Sequence, residues 1–195
     1  MSERTDRELM ASAQQGDAEA FGTLMRRHQR RVYRLALQLV RSPAEAEDVT
    51  QDTFVRAYGA VERFDGRSEP FTWIYRIAVN LSLNVIRARK AGERSSSPDD
   101  PQIEALLVDR AAGVNPELTN SDKQLGATLR AGIDALSDVL RTTLVLVLVE
   151  GVPHADAAQI LGCSEGTVAW RIHEARRKLR LFLSERGYGD EHAGG

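Results

Sequence analysis

Apolar residues along this chain recur mainly at intervals of three and four, the period of amphipathic helices. Phe21, Leu24, Leu35 and Leu39 share one face of a segment whose other face carries Arg26, Arg27, Arg30, Arg31 and Arg34. Val168, Ile172, Ala175, Leu179 and Phe182 form a second stripe of this kind. The pattern predicts helices at about 6–15, 18–41, 43–62, 71–91, 122–135, 138–150, 154–161 and 165–185. Three starts carry a hydroxyl followed three residues later by Glu or Gln, as in a capping box: Thr5 with Glu8, Ser42 with Glu45, Ser121 with Gln124. Pro43 follows Ser42 at the first helical position, where its missing N–H costs nothing. Strand alternation is weak and no repeat is visible, so the expected fold class is all-α.

The periodicity breaks between about 92 and 120. Gly92, Ser95, Ser96, Ser97, Pro98, Asp99, Asp100 and Pro101 make a linker, and Gly113, Asn115 and Pro116 a second break. A short helix at Ile103–Ala111 fits between them. Two small helical domains are expected, 1–91 and 122–187, with a flexible tether at 92–121 and a disordered tail at 188–195. From Ser95 to Gln124 there are six acids (Asp99, Asp100, Glu104, Asp109, Glu117, Asp122) and two bases (Arg110, Lys123), so the tether is acidic.

Composition narrows the function. The 195 residues carry a net charge of −2, which argues against a general nucleic-acid coat. Cys163 is the single cysteine, so no intrachain disulfide forms, and a cytoplasmic location fits. The longest apolar run, Leu144–Val149, is far short of the roughly 18 residues a membrane helix needs, so no membrane insertion is expected. Met1–Asp6 is polar, unlike a signal peptide. Catalysis finds no support. His154 and Asp156 stand two apart and on a helix do not face each other. There is no nucleophile motif, phosphate loop or metal-ligand spacing, and Cys163 with His173 makes no such spacing either. No catalytic residue, metal or cofactor is expected.

The local charge is more informative than the sum. After the helix at 154–161, Gly162 suits a left-handed helix end and Ser164 the next N-cap. Cys163 is expected as a small buried residue in the turn. From Cys163 to Leu183 five bases (Arg171, Arg176, Arg177, Lys178, Arg180) outnumber two acids (Glu165, Glu174). Thr167, Trp170, Arg171, His173, Glu174, Arg176 and Arg177 take the outer face. A short helix and a longer basic one around a tight turn point to a helix-turn-helix in a major groove. In the other half, Phe71–Ala91 has Arg76, Arg87, Arg89 and Lys90 and no acid. Phe71, Trp73 and Tyr75 follow the loop Asp65-Gly66-Arg67-Ser68-Glu69-Pro70. Cations among rings suit single-stranded DNA, whose bases stack and whose backbone needs positive charge. The same rings also suit the core of a bundle, and the pattern alone leaves both readings open.

These residues resemble the extracytoplasmic-function group of sigma-70-type factors. Glu47-Asp48-Val49-Thr50-Gln51-Asp52-Thr53-Phe54 and Phe71-Thr72-Trp73-Ile74-Tyr75-Arg76-Ile77-Ala78-Val79-Asn80 resemble sigma region 2. Ala157-Ala158-Gln159-Ile160-Leu161-Gly162, Gly166-Thr167-Val168 and Arg171–Leu179 resemble sigma region 4. The resemblance implies docking on the β′ clamp helices of core RNA polymerase through Asp48, Gln51, Asp52 and Val55. It implies capture of a flipped minus-10 base by Asp65, Gly66, Arg67 and Ser68 with Phe71, Trp73, Arg76 and Asn80. It implies minus-35 reading by Ser164, Glu165, Thr167, Trp170, Arg171, His173, Glu174, Arg176 and Arg177, with region 4 touching the β flap. It also implies an anti-sigma factor as a partner, and an acidic tether that lines the RNA path until RNA displaces it. Ala169 and Trp170 stand where the family has a basic or small polar pair, Pro153 replaces a hydroxyl, and Ser137-Asp138-Val139 lacks a proline. The alternative is a helix-turn-helix regulator that binds duplex DNA without joining the polymerase.

Overall fold

The structure is a computed structural model that describes residues 4–92 and 120–188, without the side chains of 120–123. Among the described residues there are eight α-helices and no strand. They are α1 (Asp6–Gln14), α2 (Ala18–Val40), α3 (Pro43–Gly59), α4 (Pro70–Gly92), α5 (Asn120–Asp134), α6 (Asp138–Leu144), α7 (His154–Leu161) and α8 (Glu165–Ser184). The tether from 93 to 119, with the short helix expected at 103–111, and the tail from 189 lie outside the described residues.

Local chemistry explains most boundaries. Thr5 makes the full capping box with Glu8, each side chain meeting the other's backbone N–H. Asp17 caps α2 by accepting from the Ala20 N–H at 3.0 Å. At Ser42 only half the box forms. The Glu45 N–H donates to Ser42 Oγ, while the Glu45 carboxylate turns to Arg89 at 3.4 Å. α5 begins at Asn120, so Ser121 lies inside the helix and is not its cap. α2 ends with Arg41 in the left-handed region at φ 62°, the sole non-glycine there among the described residues. Its guanidinium is tied to Asp134 at 2.8 Å, which holds this uncommon turn in place.

Two expected helices differ in detail. The segment expected at 43–62 closes at Gly59 and continues as a short 3₁₀ turn, Val61–Arg63. The segment expected at 138–150 is α-helical to Leu144, then widens into a π turn over Val145–Val149. The Glu150 N–H reaches back to the Val145 carbonyl at 2.9 Å, one residue further than an α-helix allows. The wider turn buries Glu150 and leaves Leu148 and Val149 exposed. α7 falls at its expected bounds, with Pro153 at its N-cap.

α2, α3 and α4 pack around Leu24, Val32, Leu35, Leu39, Ile74 and Ile86, all fully buried, and α1 covers one end with Leu9 and Met10. A smaller cluster of Leu136, Leu140, Leu144, Ile172 and Ala175 holds α6 against α8. The two halves are in contact. α7 lies on α4, and Val145, Leu146, Val152, Ala157 and Ile160 continue the first core. Polar links cross the same seam: Lys90 to Asp138 at 2.7 Å, Arg34 to Glu150 at 3.5 Å, and Thr72 Oγ1 to Asp156 at 3.4 Å.

Candidate nucleic-acid and polymerase interfaces

The helix-turn-helix forms as its punctuation predicts. Gly162 takes φ 63° at the end of α7, a conformation that favours glycine. Ser164 Oγ accepts the Thr167 N–H at 3.1 Å and starts α8. Val168, Ile172 and Ala175 are buried. Glu165, Trp170, His173, Arg176 and Arg177 are exposed, and Trp170 keeps 62% of its surface open. Thr167, Arg171 and Glu174 are half-buried. Arg171 turns back toward the Cys163 sulfur at 3.7 Å, and Cys163 is half-buried rather than buried. Arg177 makes two bonds of 2.8 Å to Glu174. These hydrogen bonds hold the Glu174 carboxyl below its usual range. The pair reduces the charge Arg177 presents, while Arg176, Lys178 and Arg180 stand exposed on α8.

The second surface is the loop before α4. Gly66 has φ 71°, and Asp65 Oδ1 accepts the Arg67 N–H at 3.1 Å, forming a tight polar turn. Asp65, Gly66 and Arg67 are exposed and Ser68 is half-buried. The three rings that follow separate. Trp73 stands half-buried, edge-on to Phe64 at 5.5 Å, and Phe71 is half-buried, edge-on to Tyr75 at 5.9 Å. Tyr75 is fully buried, with the Arg31 guanidinium over its ring, so it is a core anchor and not a stacking surface. Arg76 and Asn80 are exposed and share a helix face with Trp73 at i+3 and i+7. Phe64 and Arg7, which touch this loop or the Trp73 beside it, carry no periodic or motif signal that singles them out.

The third surface is a groove of about 840 Å³ between α2 and α3, lined by Phe21, Met25, Tyr33, Phe54, Val55 and Tyr58 among others. Gln51 and Val55 belong to it, while Asp48 and Asp52 are exposed on the same helix. The apolar stripe expected on α2 contributes Phe21 to the groove, and the basic face expected there contributes Arg30 and Arg34. Among the described residues no cluster of His, Cys, Asp and Glu could hold a metal ion, and no helix is long and apolar enough to cross a membrane.

Comparison with known proteins matches both halves. Residues 24–92 match sigma-70 region 2 and residues 127–179 match sigma-70 region 4. Along 185 residues the chain is 33% identical to the RNA polymerase sigma-H factor of Pseudomonas aeruginosa, covering 94% of this chain and 96% of that one. The chain belongs to the extracytoplasmic-function sigma factors. It is 35% identical to the sigma-E factor of Escherichia coli strain K12, over 92% of this chain and 95% of that one. It is 36% identical to SigE of Mycolicibacterium smegmatis, over 90% of this chain and 66% of that one. The structure of CnrH in complex with the cytosolic domain of CnrY aligns with a TM-score of 0.67 at 27% identity, over 92% of this chain and 97% of that one. A sigma factor of this group is an initiation subunit that directs RNA polymerase to promoters, and not an enzyme. Region 2 covers most of α2 through α4, region 4 most of α5 through α8, and α1 precedes both matches. Two sigma regions in this order disfavour the duplex-only regulator.

Proposed function

We propose that this sigma factor divides promoter recognition among three surfaces. Residues 1–91 dock on core polymerase through the outer face of α3, with Asp48, Gln51, Asp52 and Val55, and through the groove beside it. The loop Asp65–Pro70, with Phe71, Trp73, Arg76 and Asn80, captures a flipped non-template base of the minus-10 element. Opening is then driven by binding, because the protein holds an unstacked base. Residues 122–187 read the minus-35 element with α8 and touch the β flap. Residues 92–121 form the acidic tether along the RNA path and 188–195 the tail. The factor works in the cytoplasm.

One observation carries this reading most strongly. Trp73, Arg76 and Asn80 line one face of α4 directly behind an exposed, glycine-centred loop. An apolar groove left open on a soluble fold also calls for a partner. CnrH is in complex with the cytosolic domain of CnrY, and a Bartonella quintana sigma factor of the same fold (TM-score 0.62, 22% identity, 86% of this chain and 98% of that one) with the anti-sigma factor NepR. By analogy an anti-sigma factor here competes with core polymerase for the groove.

The test is run-off transcription with core polymerase on a promoter library randomised at both elements. Enrichment of a defined pair of elements supports the reading; no specific initiation and no core binding would sink it. Val55→Asp, at a side chain 63% exposed, should weaken core binding about tenfold or more without changing stability, because a charge would be desolvated on docking. Unchanged affinity would place docking elsewhere.

A further inference from the structure

α1 lies before the region 2 match, yet it is joined to the minus-10 loop at both of the loop's ends. At the entry, Gln14 Nε2 donates to the Phe64 carbonyl at 2.8 Å. At the exit, Arg7 Nε and Nη2 both donate to Glu69 Oε1, at 2.9 and 2.7 Å. The Glu69 carbonyl in turn accepts the Trp73 N–H at 3.2 Å, so the Arg7 contact bears on the first turn of α4. Arg7 and Gln14 are seven residues apart, two turns along one face and about 10 Å along the axis. Between them Met10 is buried in the region 2 core, which fixes how α1 is turned about its axis. α1 is itself anchored away from the loop. Asp6 accepts from Arg27 at 2.8 Å and meets His28 Nε2 at 2.5 Å, both on α2. The apex, Asp65-Gly66-Arg67, is left exposed.

We propose that α1 is a positioning element for minus-10 base capture, holding the loop by its two ends through Arg7 and Gln14. This rests on the assignment of the Asp65–Pro70 loop to base capture. The Arg7–Glu69 pair is about half exposed and so does little for global stability, which leaves loop geometry as its main effect. A pocket for a flipped base requires its walls at fixed separation, and a small displacement of a positioning group costs rate out of proportion to its energy. Free loop ends would leave the same side chains in place at the wrong spacing.

The experiment uses holoenzyme assembled from core polymerase and the full-length factor, on a promoter selected by the wild-type holoenzyme from a randomised library. Strand opening is read by permanganate reactivity of unpaired thymines, and base preference at each minus-10 position by reselection. Arg7→Glu and the isosteric Gln14→Glu should each reduce opening about tenfold and flatten the preference at the captured base. Core affinity, minus-35 duplex affinity and melting temperature should stay at wild-type values. Adding Glu69→Arg to Arg7→Glu should restore opening. Unchanged opening in both variants, with Arg67→Ala at the apex still impaired, overturns the role of α1 and leaves base capture standing. If Arg67→Ala and the other apex variants are silent too, base capture fails and the proposal with it. A loss that follows melting temperature or core affinity, and that Glu69→Arg does not restore, means α1 only covers the core and also overturns it.

Discussion

Tyr75 sits fully buried in the region 2 core, and its hydroxyl makes no hydrogen bond there. Burial first, and then the nearby Glu150 carboxylate, push the phenol up to about 12 from its usual 10. The fold therefore favours the neutral ring. That contribution is complete below pH 10 and is lost as pH rises through about 12. Tyr75→Phe removes an unsatisfied polar atom and should leave stability unchanged or raise it by up to about 1 kcal/mol at neutral pH. Urea unfolding between pH 10 and 12 should show the wild type losing stability and the Phe variant losing less; parallel losses would assign the alkaline effect to another group. Phe71, Trp73 and Tyr75 also mark a limit of sequence reading. Successive aromatic positions at i, i+2 and i+4 are equally compatible with stacking and with packing. Only the neighbours decide: Phe64 leaves Trp73 half open, while the α2 and α4 core closes over Tyr75.

At the scale of elements, capping residues are local chemistry and were legible where no distant group competed. Ser164 starts α8 as expected, with its hydroxyl on the Thr167 N–H. Ser164→Ala should cost about 1 kcal/mol of region 4 stability by leaving that N–H without its cap. It should also weaken minus-35 duplex binding, because on the proposed reading the first turn of α8 enters the major groove of DNA. Thermal melting with fluorescence anisotropy checks both, and normal melting with normal affinity would deny the cap any part in recognition. Ser42 failed as a full box because Glu45 found Arg89, 44 residues away, and nothing local announces such a partner. The π turn at Val145–Val149 was illegible because five apolar residues in a row carry no phase. The extent of the groove was illegible for a related reason. Phe21, Met25 and Tyr58 fit the helical period of core residues, and period does not tell whether another helix covers them, while Gln51 and Val55 were expected as docking residues from the family resemblance. The order of the elements and the helix-turn-helix were legible because they rest on glycine, serine and proline punctuation, which is local.

At the scale of the whole molecule, the closed seam sets a condition on activity. Two promoter elements about 25 base pairs apart lie roughly 85 Å apart along straight B-form DNA. A compact chain of 195 residues has a radius of gyration of only about 16 Å. With α7 on α4 and Lys90 on Asp138, the two surfaces proposed to read the promoter stand too close together to reach both elements at once. The 27 residues from 93 to 119 can extend to about 90 Å, so the sequence between the halves is long enough to permit separation. Much of the seam is apolar, Ile160 and Val152 included, which favours closure in water. Polymerase and DNA must supply the contacts that outweigh it. The expectation is tested by replacing Lys90 and Asp138 with cysteine in a Cys163→Ser background and joining them with a short bismaleimide. The joined protein should lose run-off transcription by at least about tenfold, since uniting both elements is what the effective concentration of a linked pair supplies. It should still bind a single minus-35 duplex, because α8 keeps its outer face open when the halves are closed. The unjoined double-cysteine protein sets the baseline from which the loss on joining is read, because Asp138 is half-buried and also pairs with the buried Arg141 at 3.1 Å. Full transcription by the joined protein would show that opening of this seam is not required, and that the promoter must bend to meet the closed factor.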